Sequence, residues 1–381
     1  MARIASFLIL LVFVSCSPTD EQLSDALTPV RERFAPDRRV AVFTVTAERR
    51  GGTVVAKGEV DNPDAKREAL EALRAVGGDV VDSVVVLPHG ALTEQPYGIV
   101  TVSVGNMRSK PGHAQELATQ VLMGMVVKIL KEERGWYLVQ SHDRYLGWIE
   151  GSSMQMTDEK GREEWIDAPK VITTGYFGIV RERPDERSLP VTDVIPGVLM
   201  KKKGTRGRWQ EVELPNGRRG YVDRGLVEDY GLWRRTRSLT PENVERAAKL
   251  FVGVPYLWGG TSTKGFDCSG YTKTVFRLNG VELNRDANQQ ALMGEEVQVG
   301  PGFEGLKKGD LLFFGRKASE NAPERIWHVG IYLGGLEFIH CAGKVRINSF
   351  DERAPHYDEE RLKTFVRARR VIGISPIPEV G

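Results

Sequence analysis

One cysteine constrains what this chain can become. Cys268 closes the loop in the stretch VPYLWGGTSTKGFDCSGYTKTVF, residues 254–276. After it, Tyr271, Val275 and Phe276 carry the apolar spacing of a helix. A thiol at a helix start faces unpaired backbone N–H groups and the positive end of the dipole, so this placement predicts thiolate character. Gly259, Gly260 and Gly265 let the loop turn tightly and approach a ligand closely. A buried, inert cysteine behind a loop is the plain alternative, and two histidines further along the chain argue against it.

Those histidines lie in IWHVGIYLGGLEFIHCAGKVRI. Val329, Ile331 and Leu333 alternate with His328, Gly330 and Tyr332, which is the period of a strand. A turn at Gly334-Gly335 predicts a second strand that ends near His340. Cysteine first, histidine next, then an orienting polar group is the chain order of papain-like thiol enzymes. In those enzymes the imidazole takes the thiol proton and the third group fixes the imidazole. His328 and His340 must then share one face of the hairpin. A strict two-residue Gly334-Gly335 loop would separate them, so a three-residue loop or a compensating bulge is predicted. Cys341 comes after His340 on the strand and points to the other face. A Cys268–Cys341 disulfide, the structural alternative, would cap the nucleophile.

The motifs PYLWGG, FDCSG, GDLLFF, HVGIYLG and FIH, in that order, resemble the NlpC-type family of cell-wall cysteine peptidases over residues 239–372. The resemblance implies an α+β fold with a papain-like catalytic domain. It implies Cys268 as nucleophile, His328 as base, His340 as orienter, and Tyr256 as a group that polarises the scissile carbonyl or positions substrate. It implies no metal and no organic cofactor. Within LNRDANQQ, Asn284 and Ala287 depart from the LPRDS of many relatives. Asn284 alters loop stiffness, and Ala287 leaves one substrate contact open.

At 381 residues the chain exceeds one ordinary domain. Its net charge of +2 and 27% charged residues lack the strongly basic footprint of a nucleic-acid binder. Residues 1–16 read as a processing segment. Arg3 supplies the positive region, then comes an apolar run too short to span a bilayer, and Val14-Ser15-Cys16 ends it. This resembles a bacterial lipoprotein signal that leaves Cys16 lipidated, so a membrane anchor in the cell envelope is expected. An ordinary secretory signal is the alternative. Cleavage before Cys16 removes one arginine and no acid, so +2 becomes +1.

Residues 17–95 read as a small α+β domain with a hairpin at Gly51-Gly52 and a helix opened by Asn62-Pro63. It carries no catalytic constellation. Residues 96–157 change to short strands with turn signals. NMRSKPG and the GWY…GWI pair resemble a bacterial SH3-like barrel, and residues 158–232 read as a second copy with an Asn216-Gly217 turn. Trp136, Trp148 and Trp209 are expected in the barrel cores. The catalytic domain takes residues 233–381, with Thr240 and Pro241 opening its first helix.

Asp267 beside the thiol is unhelpful alone, because a like charge raises the thiol pKa. A turn aspartate bonding its own backbone is the plain reading. Family members with tandem SH3-like barrels cut murein peptides between γ-D-Glu and a diamino acid and need a free N-terminal L-Ala. By that resemblance Asp267 and, from the first barrel, Glu116 hold the amine, Tyr145 lies beside it, and Ser269 bonds the substrate backbone. The expected function is a γ-D-glutamyl-diamino-acid endopeptidase acting on released wall peptides. The alternatives are another NlpC-type amidase or acyltransferase, and a dormant wall-binding module.

Overall fold

The computed structural model describes residues 19–373. The leader reading at residues 1–16, with Cys16, lies outside the described residues. The chain forms two compact units that divide between Leu87 and Pro88.

The first unit comprises α1 (Asp20–Phe34), β1 (Thr46–Arg50), β2 (Thr53–Val60), α2 (Pro63–Gly77) and β3 (Val80–Val86). The hairpin turns at Gly51-Gly52, with Arg50 paired to Thr53. Asn62 caps α2 by accepting from the Asp64 amide, and Pro63 takes the first turn, where its missing N–H costs nothing. β3 returns parallel to β2, and Leu23, Leu27, Val54, Ala69 and Leu73 fill the core beneath.

The second unit opens with a seven-stranded barrel: β4 (Tyr97–Val100), β5 (Val104–Arg108), β6 (Leu117–Leu122), β7 (Val126–Glu133), β8 (Trp136–Gln140), β9 (Leu146–Glu150) and β10 (Met154–Thr157). Helix α3 (Glu159–Asp167) leads to a second seven-stranded sheet: β11 (Lys170–Thr173), β12 (Gly178–Arg181), β13 (Pro190–Val194), β14 (Leu199–Arg206), β15 (Trp209–Glu213), β16 (Arg219–Asp223) and β17 (Val227–Asp229). The two barrels bury one continuous apolar cluster, with Ile129, Val139 and Ile149 from the first beside Val180, Val212 and Val222 from the second. Trp209 is buried, as expected. Trp136 and Trp148 are not core residues. Leu138 pairs with Trp148, and Trp136 with Glu150, while the buried Val139 and Ile149 alternate with them. The tryptophans therefore stand half-buried on the outer face.

Helices α4 (Tyr230–Thr236) and α5 (Pro241–Lys249) open the last domain, with Thr240 capping α5 through the Asn243 amide. The short strands β18 (Thr261–Ser262) and β19 (Gly265–Phe266) precede α6 (Cys268–Arg277). Next come α7 (Ala287–Gln290), β20 (Glu295–Val297), β21 (Leu311–Arg316), β22 (Arg325–Gly334), β23 (Glu337–Ala342), β24 (Lys344–Ser349), α8 (Glu359–Thr364) and β25 (Phe365–Arg370). The sheet order is β20-β25-β21-β22-β23-β24. Val329, Ile331, Leu333 and Ile339 pack on Tyr271, Val275 and Phe276 of α6, and the opposite face carries Phe314, Phe338 and Phe350. Almost every side chain of α6 is buried, which fixes where its first residue can sit.

Candidate active site

Asp267 is the N-cap of α6. Its Oδ1 accepts from the Gly270 amide at 2.7 Å, and Oδ2 accepts from the Gly259 amide at 3.0 Å. The plain reading of Asp267 as a backbone-bonding residue is therefore correct in its geometry. Arg285, 1% exposed, completes the arrangement. Its Nη2 lies 2.5 Å from Asp267 Oδ2, Nη1 donates to Asp267 Oδ1 and to Ser269 Oγ at 3.1 Å each, and Nε donates to Thr119 Oγ1 at 2.9 Å. Thr119 belongs to β6, so a strand of the first barrel holds the arginine that neutralises the residue beside the thiol.

Cys268 Sγ rests against the β22 backbone, 3.9 Å from the Trp327 carbonyl oxygen. Burial first, and then the Asp267 carboxylate, push the thiol up to about 12; the Val329 amide, Arg285 and the Ser269 amide pull the other way without prevailing. Helix placement alone therefore does not decide the protonation of this thiol. Cap and dipole are present, but desolvation and a carboxylate beside the sulfur outweigh them. Cys268 and Cys341 are both free thiols. Cys341 donates to the Phe266 carbonyl at 3.2 Å, so the disulfide alternative is not what the structure forms.

His328 and His340 share a face. His340 lies directly opposite Gly330, two residues along from His328, and the pairing shifts by one residue between Tyr332 and Gly334. The predicted compensating bulge falls at Leu333, and the turn itself is Gly335-Leu336, with φ of 60° and 67°. Two positive φ values match a type I′ hairpin turn, so the three-residue loop is not used. A second irregularity skips Trp327 where β22 pairs with β21, which re-aims the strand beside His328. Gly330 makes room for the pair. A Cβ there would lie 3.1 Å from the His340 Cβ.

A hydrogen-bond chain fixes the tautomers. His328 Nε2 and His340 Nδ1 are 2.8 Å apart, His340 Nε2 and Asn348 Oδ1 are 3.0 Å apart, and Asn348 Nδ2 donates to the His356 carbonyl at 3.1 Å. A carbonyl only accepts, so the amide nitrogen of Asn348 faces it and the amide oxygen faces His340. His340 then carries its proton on Nε2 and accepts on Nδ1. His328 donates from Nε2, which leaves Nδ1 as its basic nitrogen. Asn348 was not legible in the sequence, because only the β23–β24 register places it on this face. Burial, then His340, Arg361 and Arg346, hold His328 well below the ordinary histidine range. Burial is also the first cause at His340, pushed down to about 4.

Tyr256 is 36% exposed, and burial, then Cys268 and Asp267, raise its hydroxyl above the ordinary tyrosine value. Glu116 is exposed and accepts from Trp258 Nε1 at 2.7 Å. Tyr145 is buried, with its hydroxyl donating to Asp286 Oδ2 at 3.0 Å. Ser269 Oγ is buried between Asp267 and Arg285, so it does not face substrate as expected. Asp267 is likewise not an open carboxylate awaiting an amine. The barrel seam is tight beside it: Gly259 has φ +76°, and a Cβ there would meet the Leu117 carbonyl at 2.2 Å. Gln120 Oε1 accepts from the Thr261 amide and from Ser262 Oγ, both at 2.9 Å. Among the described residues no group of acids, histidines and cysteines is arranged to hold a metal ion.

A thiol at a helix N-terminus, over a strand that presents an oriented imidazole pair, defines a papain-like thiol enzyme. Residues 253–364 match the NlpC/P60 family, and residues 107–154 match the bacterial dipeptidyl-peptidase SH3 domain. The chain is 30% identical over 275 residues to a gamma-D-glutamyl-L-lysine dipeptidyl-peptidase of Bacillus cereus, covering 68% of this chain and 77% of that one. It is 28% identical over 276 residues to dipeptidyl-peptidase 6 of Lysinibacillus sphaericus, covering 70% and 96%. A solved NlpC/P60 family protein from Bacillus cereus shares the fold with a TM-score of 0.61 at 24% identity, over 72% of this chain and 99% of that one. The chain belongs to the NlpC/P60 family and is a cysteine peptidase.

Proposed function

We propose that the enzyme hydrolyses the amide between γ-D-Glu and a diamino acid in murein peptides whose N-terminal L-Ala is free. The observation that carries the reading is the barrel seam. Glu116 and Tyr145 of the first barrel meet Trp258 and Asp286 of the catalytic domain, beside the thiol-bearing helix. A barrel wall there blocks longer N-terminal extensions, and exposed carboxylate on it favours an ammonium. Because the oxygens of Asp267 are committed to Arg285, Gly259 and Gly270, the amine is left to the exposed carboxylate of Glu116.

In the reaction His328 Nδ1 takes the Cys268 proton as sulfur attacks the γ-carbonyl carbon. The developing oxyanion meets the Cys268 amide at the open end of α6 and the Tyr256 hydroxyl. His328 then passes its proton to the departing amine, and water, deprotonated by the same imidazole, releases L-Ala-γ-D-Glu from the thioester. His340 and Asn348 hold the base in its tautomer. Such a protein, anchored through a lipidated Cys16 in the cell envelope, would process fragments released from the wall.

The test compares L-Ala-γ-D-Glu-diaminopimelate with its N-acetyl form. The free peptide is expected to be cleaved roughly ten- to a hundredfold more efficiently, the size of a single charge-assisted hydrogen bond. Equal kcat/KM on the two peptides would remove the free-amine requirement and leave a generic peptidase.

A further inference from the structure

The face that presents the histidines continues outward into unpaired cations. Across β22, β23 and β24 the register aligns Gly330, His340 and Arg346 in one row. In the adjoining row Ala342 pairs with Lys344, and by the same β22–β23 register His328 is the residue that comes opposite Ala342. Residues two apart on a strand share a face, so Lys344 and Arg346 stand on the side of the sheet that carries the imidazoles. Both are exposed, and neither forms an ion pair or a side-chain hydrogen bond among the described residues. Lys344 also borders Tyr256: Pro255 bridges to Lys344, and the Tyr256 amide donates to the Gly343 carbonyl at 2.8 Å. The charge of Arg346 is among those that act on both His328 and His340. Arg361 adds a third cation behind them, set over the Phe314 ring. Of the acids on this flank, Asp358 caps α8 through the Arg361 amide, and Glu360 pairs with Arg361 rather than with Lys344 or Arg346.

The opposite flank of the α6 N-terminus has the other sign. Glu116 is exposed there, and Asp286 is bonded to Tyr145. The cleft is therefore electrically polar, with acids toward the barrel and bases beyond the histidines. The proton that His328 delivers goes to the leaving nitrogen, so the leaving group departs on the histidine side. There it meets Lys344 and Arg346, together with the Trp327 indole, which is 46% exposed and offers apolar surface to a methylene chain.

Resting on the reaction proposed above, we infer that Lys344 and Arg346 select the leaving residue by side-chain charge: a diamino acid ending in a carboxylate, as diaminopimelate does, is preferred to one ending only in an ammonium, as lysine does. The carboxylate of diaminopimelate finds two cations with no other partner. The ε-ammonium of lysine meets like charge, and like-charge juxtaposition discriminates as effectively as attraction.

The experiment measures kcat/KM for L-Ala-γ-D-Glu-meso-diaminopimelate and L-Ala-γ-D-Glu-L-lysine with wild type, Arg346→Gln and the Lys344→Glu/Arg346→Glu double variant. Both positions are exposed, so folding is not at stake. The wild-type preference for diaminopimelate is expected to be about three- to tenfold, the size that exposed charges support. It should shrink in Arg346→Gln, reverse in the double variant, and weaken between about 50 mM and about 500 mM salt. Equal wild-type rates on the two peptides, or a ratio that the double variant does not move, would overturn this inference while the proposed reaction stands. Cleavage of neither peptide would overturn both.

Discussion

Arg285 and Asp267 form a buried ion pair, 2.5 Å between Nη2 and Oδ2, directly beside the candidate nucleophile. The pair is a bridge as well as a neutraliser, because Thr119 of the first barrel accepts from the same guanidinium. Removing one partner leaves the other charged and dry. Arg285→Gln should therefore cost about 3–5 kcal/mol of stability in urea unfolding. Thr119→Val removes a single neutral partner and should cost about 1–3 kcal/mol. Near-wild-type stability of Arg285→Gln would mean that water reaches Asp267.

Asn348 sets the direction of the imidazole chain without touching substrate. Asn348→Ala frees His340 to adopt either tautomer, and His328 then spends part of its time with Nδ1 protonated. A fall in kcat of roughly ten- to a hundredfold, about 1.4–2.7 kcal/mol, is expected with KM little changed. Nitrogen chemical shifts of His328 and His340 should show mixed tautomers in the variant and one in the wild type. A variant with normal kcat, or with unchanged shifts, would exclude the positioning role.

The lowered histidines set the pH dependence. The active form of His328 is neutral, and its value is depressed, so activity is present above that value and lost only as pH falls through it. The acid limb of kcat/KM should accordingly lie well below 6.5. For stability, His340 titrates at about 4 in the fold, against about 6.5 unfolded. Between those values the unfolded chain binds a proton that the folded chain does not, so the stability contributed by His340 falls as pH drops from about 6.5 to about 4, and its share levels off below. Thermal unfolding of His340→Gln should lose that portion of the slope. An acid limb at 6.5 or above would contradict the buried, neutral imidazole.

The α+β class and the cysteine–histidine–histidine order were legible because they rest on local pattern: alternation around Val329, helical spacing after Cys268, and the caps at Asn62 and Thr240. What escaped depended on register and seams. Asn348 reaches His340 only through β23–β24 pairing, and no periodicity marks it. Arg285 sits in an ordinary polar loop sequence, and its partner Thr119 lies 166 residues earlier. Trp136 and Trp148 read as core because aromatic residues usually fill small barrels, yet the buried positions alternate with them at Val139 and Ile149. The thiol's protonation is set by burial and a neighbouring carboxylate, which a helix-start argument does not weigh.

Attack by Cys268 on a γ-D-glutamyl amide leaves a defined pair of products. Its most direct measurement is mass spectrometry of products from L-Ala-γ-D-Glu-diaminopimelate incubated with wild type and with Cys268→Ala. L-Ala-γ-D-Glu and free diaminopimelate are expected from the wild type, and intact tripeptide from a folded Cys268→Ala protein. Release of those products by Cys268→Ala, or cleavage at another bond by the wild type, would contradict that attack.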